Sequence, residues 1–216
     1  FIFDDPISSL DQDFEERVVA RLVDLAKTRQ VIIFTHRLSL ISLIEAVIKK
    51  HAENPANDKI THSLQSLRRL GKTSGILTQH NLRDARPDKA LNAVRDHIIP
   101  KLKKYQVNAD ADGYDLIAKS ACSDFRIILE RTVELILLND VVIRFRREVM
   151  TKGKLIGIAK VEVKDCDLID RMMTKYSVYE HSQADDLPQV PVELDEFERD
   201  VLELIAWMDD FKGRTS

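Results

Sequence analysis

The sequence predicts an α/β segment followed by a mainly α-helical one. Two apolar runs, residues 1–3 and 31–34, flank an amphipathic stretch, and this order is typical of a β-α-β unit. After Pro87, apolar residues recur at helical spacings, which is typical of packed helices. We therefore expect an α/β domain over residues 1–86 and a helical-bundle effector domain over residues 87–216.

Acidic and imidazole side chains follow the two predicted strands. Asp4 and Asp5 come directly after the first apolar run, and Thr35 and His36 come directly after the second. Ligands of α/β folds bind at the carboxyl ends of the strands. The first carboxylate suits Mg²⁺ bound to phosphate oxygens, and the second suits the orientation of an attacking water. Each fragment alone also fits an ordinary turn, so the prediction of a nucleotide site depends on their combination.

The same residues, with Ser9-Leu10-Asp11 after the acidic pair, resemble the ATP site of ABC-type ATPases of the SMC/RecF-like, AAA_13-like kind. Asp4 and Asp5 match their Walker B pair, the Ser-Leu-Asp turn matches their D-loop, and His36 matches their switch histidine. The resemblance implies that Asp4 binds Mg²⁺ and that Asp11 helps to bind ATP. It also implies that Asp5 and His36 bind the nucleotide and act in its hydrolysis. Most of these ATPases have Glu where Asp5 stands, which leaves the rate of hydrolysis open.

The phosphate loop and the signature motif of such ATPases have no counterpart in the sequence. Gly71-Lys72-Thr73 lacks the upstream Gly of a phosphate loop and lies in an alternating stretch, residues 60–79, so we expect a β-hairpin turn there. Because both motifs precede Walker B in ABC proteins, we expect this chain to be the C-terminal part of a longer ATPase. The expected partners are the N-terminal ATPase half and further copies in an ATP-dependent homodimer or higher oligomer. ATP should bind weakly or not at all to this chain alone.

Helices are predicted on both sides of a polar segment, residues 81–88, which we take as the domain boundary. Before it, an apolar pattern predicts a helix from Leu38 to Lys50. Beyond it, apolar spacings predict helices at Asp88 to Tyr105, Tyr114 to Leu138, Val141 to Met150, Asp165 to Tyr176 and Leu194 to Phe211. The longest of these, with apolar residues from Leu116 to Leu137, is expected at the centre of the bundle.

Composition excludes several classes of protein. The chain has 33 Lys and Arg against 36 Asp and Glu, a net charge of −3, so no overall positive charge favours nucleic acid. No apolar run approaches the roughly 20 residues of a membrane span, and the N-terminus has no secretion-signal pattern. Cys122 and Cys166 are isolated and are predicted to be buried, reduced thiols without zinc. These features predict a cytoplasmic protein without membrane contact.

One predicted helix carries Arg126 and Glu130 one turn apart, and His181 follows in a polar loop. In a helical domain directly behind an ABC-type ATPase, this set resembles the PrrC and RloC anticodon nucleases and related phage-defence ATPases. The resemblance implies a toxin-like RNase that cleaves tRNA, with Arg126, Glu130 and His181 as catalytic residues. These residue types suit metal-independent cleavage, because His and Glu transfer protons while Arg stabilises the phosphate charge. The alternative interpretation is an ordinary helix ion pair and an unrelated loop histidine.

A second cluster, Arg144, Arg146 and Arg147 around Phe145, is a candidate for binding RNA phosphates and stacking a base. It fits a solvated helix face, paired with acids such as Glu148, at least as well. Two functions are therefore open. One is an ATPase-controlled RNase of phage defence, and the other is a DNA-repair or DNA-maintenance ATPase whose helical half is a structural or partner-docking module without catalysis.

Overall fold

The computed structural model describes residues 1–7, 12–54, 59–70, 72–77, 85–144, 149–179 and 192–214, with the backbone alone at residues 12, 13, 68 and 70. The chain divides into two compact units. The first unit comprises Phe1–Leu64 with Ile143–Val149, and the second comprises Gln65–Val142 with Met150–Ser216. Residues 65–77 thus group with the helices, whereas the sequence assigns them to the part that ends at residue 86. The domain limits drawn from the sequence stay a prediction.

The first unit contains the predicted β-α-β order. Strand β1 (Ile2–Asp4) is followed by helix α1 (Gln12–Ala26), strand β2 (Ile32–Phe34) and helix α2 (Leu38–Ala52). The two strands pair in parallel, as a connection through a helix requires. The sequence therefore predicted both strands and both helices of this unit. Parallel pairing places the carboxyl ends of the strands side by side, and this edge carries the candidate site.

A small apolar core holds the first unit together. Val23 of α1 and Leu40 of α2 pack with Ile7, which lies just after β1. Phe14 is exposed, although it is one of the apolar residues that make the stretch between the two strands amphipathic. Its neighbour Glu15 is buried instead, because its carboxylate accepts a hydrogen bond from the guanidinium of Arg37. The core thus fixes the segment after β1 against both helices.

A β-hairpin surrounds the Gly-Lys-Thr sequence. Strand β3 (Leu67–Leu70) pairs antiparallel with strand β4 (Thr73–Leu77). The hairpin is confirmed, but it is shorter than the predicted stretch, because residues 60–66 form no strand. Phosphate-binding loops connect a strand to a helix. Lys72 lies in a turn and Thr73 begins β4, while Gly71 lies outside the described residues, so the described part agrees with the interpretation as a hairpin turn.

The second unit is built mainly from helices. They are α3 (Pro87–Ala93), α4 (Ile99–Val107), α5 (Ala111–Thr132), α6 (Val163–Ser177) and α7 (Leu194–Gly213), with a 3₁₀ helix at Leu155–Lys160 that the sequence did not predict. Apart from Val141 to Met150, the helices predicted after Pro87 are confirmed, with ends displaced by a few residues. No helix in the described part of the chain combines the length and the apolarity that a bilayer crossing requires.

A π-helical turn, Val94–Ile98, joins α3 to α4 where the sequence predicts one continuous helix. Pro100 has no backbone N–H, so it cannot complete the regular hydrogen-bond ladder of an α-helix. The helix widens just before the proline, and the N–H of Ile99 donates to the carbonyl of Val94. A second π-helical turn, Val133–Leu137, extends α5.

Aromatic side chains from three helices meet in the core of the second unit. The ring centre of Phe125 on α5 lies 4.7 Å from that of Tyr176 on α6 and 5.7 Å from that of Phe197 on α7. All three side chains are buried, and both contacts are edge-to-face. Helix α5 is therefore central, as predicted. Leu116, however, is 72% exposed, because at 3.6 residues per turn it lies on the face of α5 opposite Phe125.

The predicted helix from Val141 to Met150 is wrong at both of its described ends. Asn139 and Asp140 have φ values of +47° and +59°, and this left-handed backbone ends the helical run. The N–H of Met150 then donates to the carbonyl of Val141 at 3.0 Å, which brings the two ends of the segment together. Its apolar residues imitate a helical pattern, but residues 141–144 and 149–150, the part that the structure describes, are not helical.

The two cysteines lie in different environments. Cys122 on α5 is buried as predicted, and burial raises the pKa of its thiol to about 12. Cys166 on α6 is exposed, so the prediction that it is buried is wrong. Its neighbour Asp165 occupies the buried face of the helix at this point. Both cysteines are free thiols, as expected.

Asp165 is a completely buried carboxylate near the start of α6. It accepts hydrogen bonds from Nε1 of Trp207 at 2.8 Å and from the guanidinium of Arg214 at 2.7 and 3.0 Å. The backbone N–H of Glu162 also donates to it, which forms a capping box. Burial acts to raise the pKa of Asp165, but these hydrogen bonds outweigh it and hold the pKa at about 2. The network fastens the end of α7 to the start of α6.

Candidate functional site

The carboxyl ends of β1 and β2 bring the predicted acidic and imidazole residues together. In the parallel pair, Asp4 lies opposite Phe34, so Asp5 and Thr35 leave the sheet side by side. The backbone N–H of Asp5 donates to the carbonyl of Phe34 at 2.8 Å and fixes this exit. His36 is the next residue of the chain. The first unit thus gathers at one edge the residues that the sequence placed at two separate strand ends.

Each oxygen of the Asp5 carboxylate contacts a side chain of one of the two residues that follow β2. Oδ1 accepts a hydrogen bond from the Thr35 hydroxyl at 2.8 Å, and Oδ2 lies 3.3 Å from Nδ1 of His36. The Asp5 side chain is 14% exposed, whereas the His36 side chain is 86% exposed. The carboxylate is therefore held in the protein, while the imidazole is accessible to a ligand through its second nitrogen, Nε2.

The two acidic residues differ in backbone and exposure. Asp4 ends β1 and is exposed. Asp5 has a φ of +40°, a left-handed value that Asp adopts more readily than most residues. An exposed carboxylate such as that of Asp4 is a ligand type that Mg²⁺ accepts, since this ion commonly takes one or two protein carboxylates together with phosphate oxygens and water. Within the described residues, no cluster of three or more His, Cys, Asp or Glu could hold a metal.

Arg37 supports the site, and the sequence interpretation missed it. Its guanidinium donates to the carbonyl of Ile7 at 2.8 Å and to the carboxylate of Glu15 at 3.0 Å. Its backbone N–H donates to Oγ1 of Thr35 at 3.1 Å. Arg37 therefore links the segment after β1, the first turns of α1 and the end of β2. The available sequence signal was an arginine directly after His36, with an acid at position 15 inside an otherwise apolar helix face.

In the second unit, Arg126 and Glu130 form an ion pair on α5, with 2.9 Å between Nη1 and Oε1. Their side chains are only 15% and 20% exposed. Arg126 also contacts Sδ of Met173 on α6. Its Nε is buried and has no hydrogen-bond partner in the described part of the chain. The pair is therefore largely buried, and Arg126 lies in the contact between α5 and α6.

Several predicted site residues lie outside the described residues, namely Asp11, His181, Arg146 and Arg147. Arg144 is described, and it is exposed in a turn rather than on a helix. The convergence of His181 with the ion pair on α5 and the grouping of the basic cluster both stay predictions.

Comparison with known proteins finds a partial similarity. Over 93 residues, the chain is 31% identical to the beta-(1→2)glucan export ATP-binding/permease protein NdvA of Rhizobium johnstonii (strain DSM 114642 / LMG 32736 / 3841). The link to an ATP-binding protein is distant. The similarity covers 41% of this chain and 16% of that protein, so the chain spans about a sixth of the relative's length. No family model matches the chain, and no solved structure matches it significantly. None of these three comparisons bears on the resemblance to anticodon nucleases.

Proposed function

We propose that the first unit contributes the acid and histidine end of an ABC-type ATP site. One observation carries this proposal: the Asp5 carboxylate contacts both Thr35 and His36 where two parallel strands end. Nucleotide sites of α/β folds lie at such strand ends. The partial similarity to an ATP-binding/permease protein gives further support.

The residues of this end have separate roles in the proposal. The exposed Asp4 holds Mg²⁺, which neutralises charge on the phosphates when it is bound. Asp5 orients the water that attacks the γ-phosphate, and its contact with His36 fixes the imidazole. An imidazole protonated on both nitrogens donates from Nδ1 to Asp5 and presents Nε2–H to a γ-phosphate oxygen. Asp11 contributes a further contact from the D-loop.

A complete site also needs a Gly-rich phosphate loop and a signature motif. We propose that an N-terminal ATPase half carries the phosphate loop, and that a second copy of the complete protein supplies the signature motif in an ATP-dependent dimer or higher oligomer. This chain alone then makes only metal, water and γ-phosphate contacts, so its own affinity for ATP is low. Such an ATPase acts in the cytoplasm.

The histidine contact gives the test of this proposal. In the complete protein with ¹⁵N-labelled histidine, a non-hydrolysable ATP analogue with Mg²⁺ should shift the ring-nitrogen resonances of His36. ADP should leave them near their nucleotide-free positions, because it lacks the γ-phosphate that the imidazole contacts. His62, an exposed histidine outside the strand ends, serves as an internal control and should not move. If the His36 resonances do not shift with the analogue, or shift equally with ADP, the assignment of His36 to the γ-phosphate is contradicted.

Two candidate functions are kept for the helical unit. The first is the RNase of the anticodon-nuclease kind, which would use Arg126, Glu130 and His181 against tRNA in phage defence. The second is a structural or partner-docking module of a DNA-repair or DNA-maintenance ATPase. The low exposure of the Arg126–Glu130 pair, and the contact of Arg126 with Met173 on α6, favour the second candidate.

A pair of variants separates these two candidates. The double variant Arg126→Met, Glu130→Leu replaces the ion pair with apolar side chains of similar length and should fold with stability within about 2 kcal/mol of the wild type. Arg126→Ala alone should cost about 2–3 kcal/mol, because it removes one partner of a mostly buried pair. The experiment compares thermal unfolding and RNA cleavage in the complete protein. A folded double variant that loses an EDTA-resistant cleavage present in the wild type would support the nuclease, whereas a wild type that leaves tRNA intact while hydrolysing ATP would support the structural module.

A further inference from the structure

Thr35 makes two hydrogen bonds that together fix the direction of its hydroxyl. Oγ1 accepts the backbone N–H of Arg37 at 3.1 Å and donates to Oδ1 of Asp5 at 2.8 Å. A hydroxyl has one proton to donate and two lone pairs with which to accept. Because the Arg37 N–H occupies a lone pair, the proton is directed at Asp5. Thr35 is therefore an oriented donor to this carboxylate.

The surroundings of Thr35 make this donor rigid. The guanidinium of Arg37 is held by the carbonyl of Ile7 and by Glu15, at 2.8 and 3.0 Å. Ile7 is fully buried in the core of the first unit, and Glu15 is nearly so. The backbone N–H that fixes the Thr35 hydroxyl thus belongs to a residue anchored on two other parts of the unit.

The two oxygens of Asp5 are not equivalent in this arrangement. The Oδ1 contact is a short hydrogen bond to a partly buried hydroxyl. The Oδ2 contact, to Nδ1 of His36, is longer at 3.3 Å and involves a ring that is 86% exposed. Oδ2 has a further lone pair, so it can accept a hydrogen bond from an entering water while it stays in contact with His36, whereas Oδ1 is held by Thr35. Oδ2 is therefore the oxygen available to the reaction.

We propose that Thr35 is a positioning residue for ATP hydrolysis, a role that rests on the ATP site proposed above. Its hydroxyl holds one oxygen of Asp5 so that the other faces His36 and the attacking water. Aspartate is one methylene group shorter than the glutamate of most ABC-type ATPases. A shorter side chain must be positioned more accurately to bring its carboxylate oxygen within reach of the water. A fixed orientation of Asp5 therefore contributes directly to the rate of ATP hydrolysis.

The test is steady-state ATP hydrolysis by the complete protein with substitutions at Thr35. Thr35→Val keeps the shape and removes the hydroxyl, and we expect kcat to fall about tenfold while the KM for ATP changes less than about twofold. Thr35→Ser keeps the hydroxyl and should restore kcat to within about threefold of the wild type. In an Asp5→Asn background, Thr35→Val should have little further effect, because Thr35 acts through the carboxylate.

The outcomes distinguish this role from a structural one and from a failure of the ATP site itself. Thr35→Val with normal kcat, or Thr35→Ser as slow as Thr35→Val, would overturn the role of Thr35. If Asp5→Asn itself hydrolyses ATP at the wild-type rate, the proposed ATP site fails first. Should Thr35→Val not fold, Thr35→Cys is the substitute, because its thiol takes the position of the hydroxyl but is a weak donor. It should lower kcat about fivefold, and an unchanged kcat would contradict the proposal.

Discussion

Replacing Phe125 with alanine should lower the free energy of unfolding of the helical unit by about 3–5 kcal/mol, because it removes a fully buried ring and leaves a cavity. The effect should lie at the upper end of that range, since the ring also makes edge-to-face contacts with Tyr176 and Phe197. Urea unfolding followed by circular dichroism measures it.

Leu116→Ala is the matched control on the same helix. Leu116 is 72% exposed, so its removal should change stability by no more than about 0.5 kcal/mol. If the two variants unfold at the same urea concentration, the described packing of α5 is wrong. Alanine is the best helix former, so neither substitution should destabilise α5 through helix propensity, and a loss of stability in Phe125→Ala alone reports the lost packing of the ring.

Local patterns predicted much of the fold because they record which residues face a core. The β-α-β order was visible in two apolar runs around an amphipathic stretch, and the helices after Pro87 were visible in their spacing. The same patterns failed where a few backbone angles decide the outcome. The residues from Val141 to Met150 have apolar spacing, but the left-handed angles of Asn139 and Asp140 end the helical run just before them.

The sequence contains a signal for the π-helical turn between α3 and α4, namely Pro100, but the prediction of one continuous helix does not use it. A proline inside a helical pattern removes one donor from the ladder, and the π-helical turn before it follows from that loss. Asp165 shows a limit of another kind. Its burial depends on Trp207 and Arg214, which are distant in sequence, so no local pattern identifies it.

The candidate site could be predicted in part for the same reasons. Asp4, Asp5 and His36 follow apolar runs, and strand ends are where ligands bind in α/β folds. Arg37 could not be assigned a role, because its contacts with Ile7 and Glu15 exist only after the strands and α1 have come together. The role of Arg126 and Glu130 was equally undecided, since helical spacing alone cannot distinguish a buried ion pair from two groups lining an open pocket.

Asp5→Asn should have the largest catalytic effect in the first unit. Asn has nearly the same shape, tolerates the left-handed φ of +40° and can still accept the Thr35 hydrogen bond through its carbonyl oxygen. It loses the negative charge that orients and polarises the attacking water. We therefore expect ATP turnover by the complete protein to fall about 100-fold or more, with little change in the KM for ATP. The nucleotide-bound dimer should persist for longer as a consequence.

Steady-state ATP turnover of the complete protein is the most direct test of the ATP site. Wild type, Asp5→Asn and a control, Asp24→Asn, are compared at saturating Mg·ATP. Asp24 is an exposed residue of α1 that pairs with Lys27, so its substitution should leave turnover unchanged. The proposed site predicts a loss of about 100-fold in Asp5→Asn alone. Equal turnover in all three proteins would contradict it.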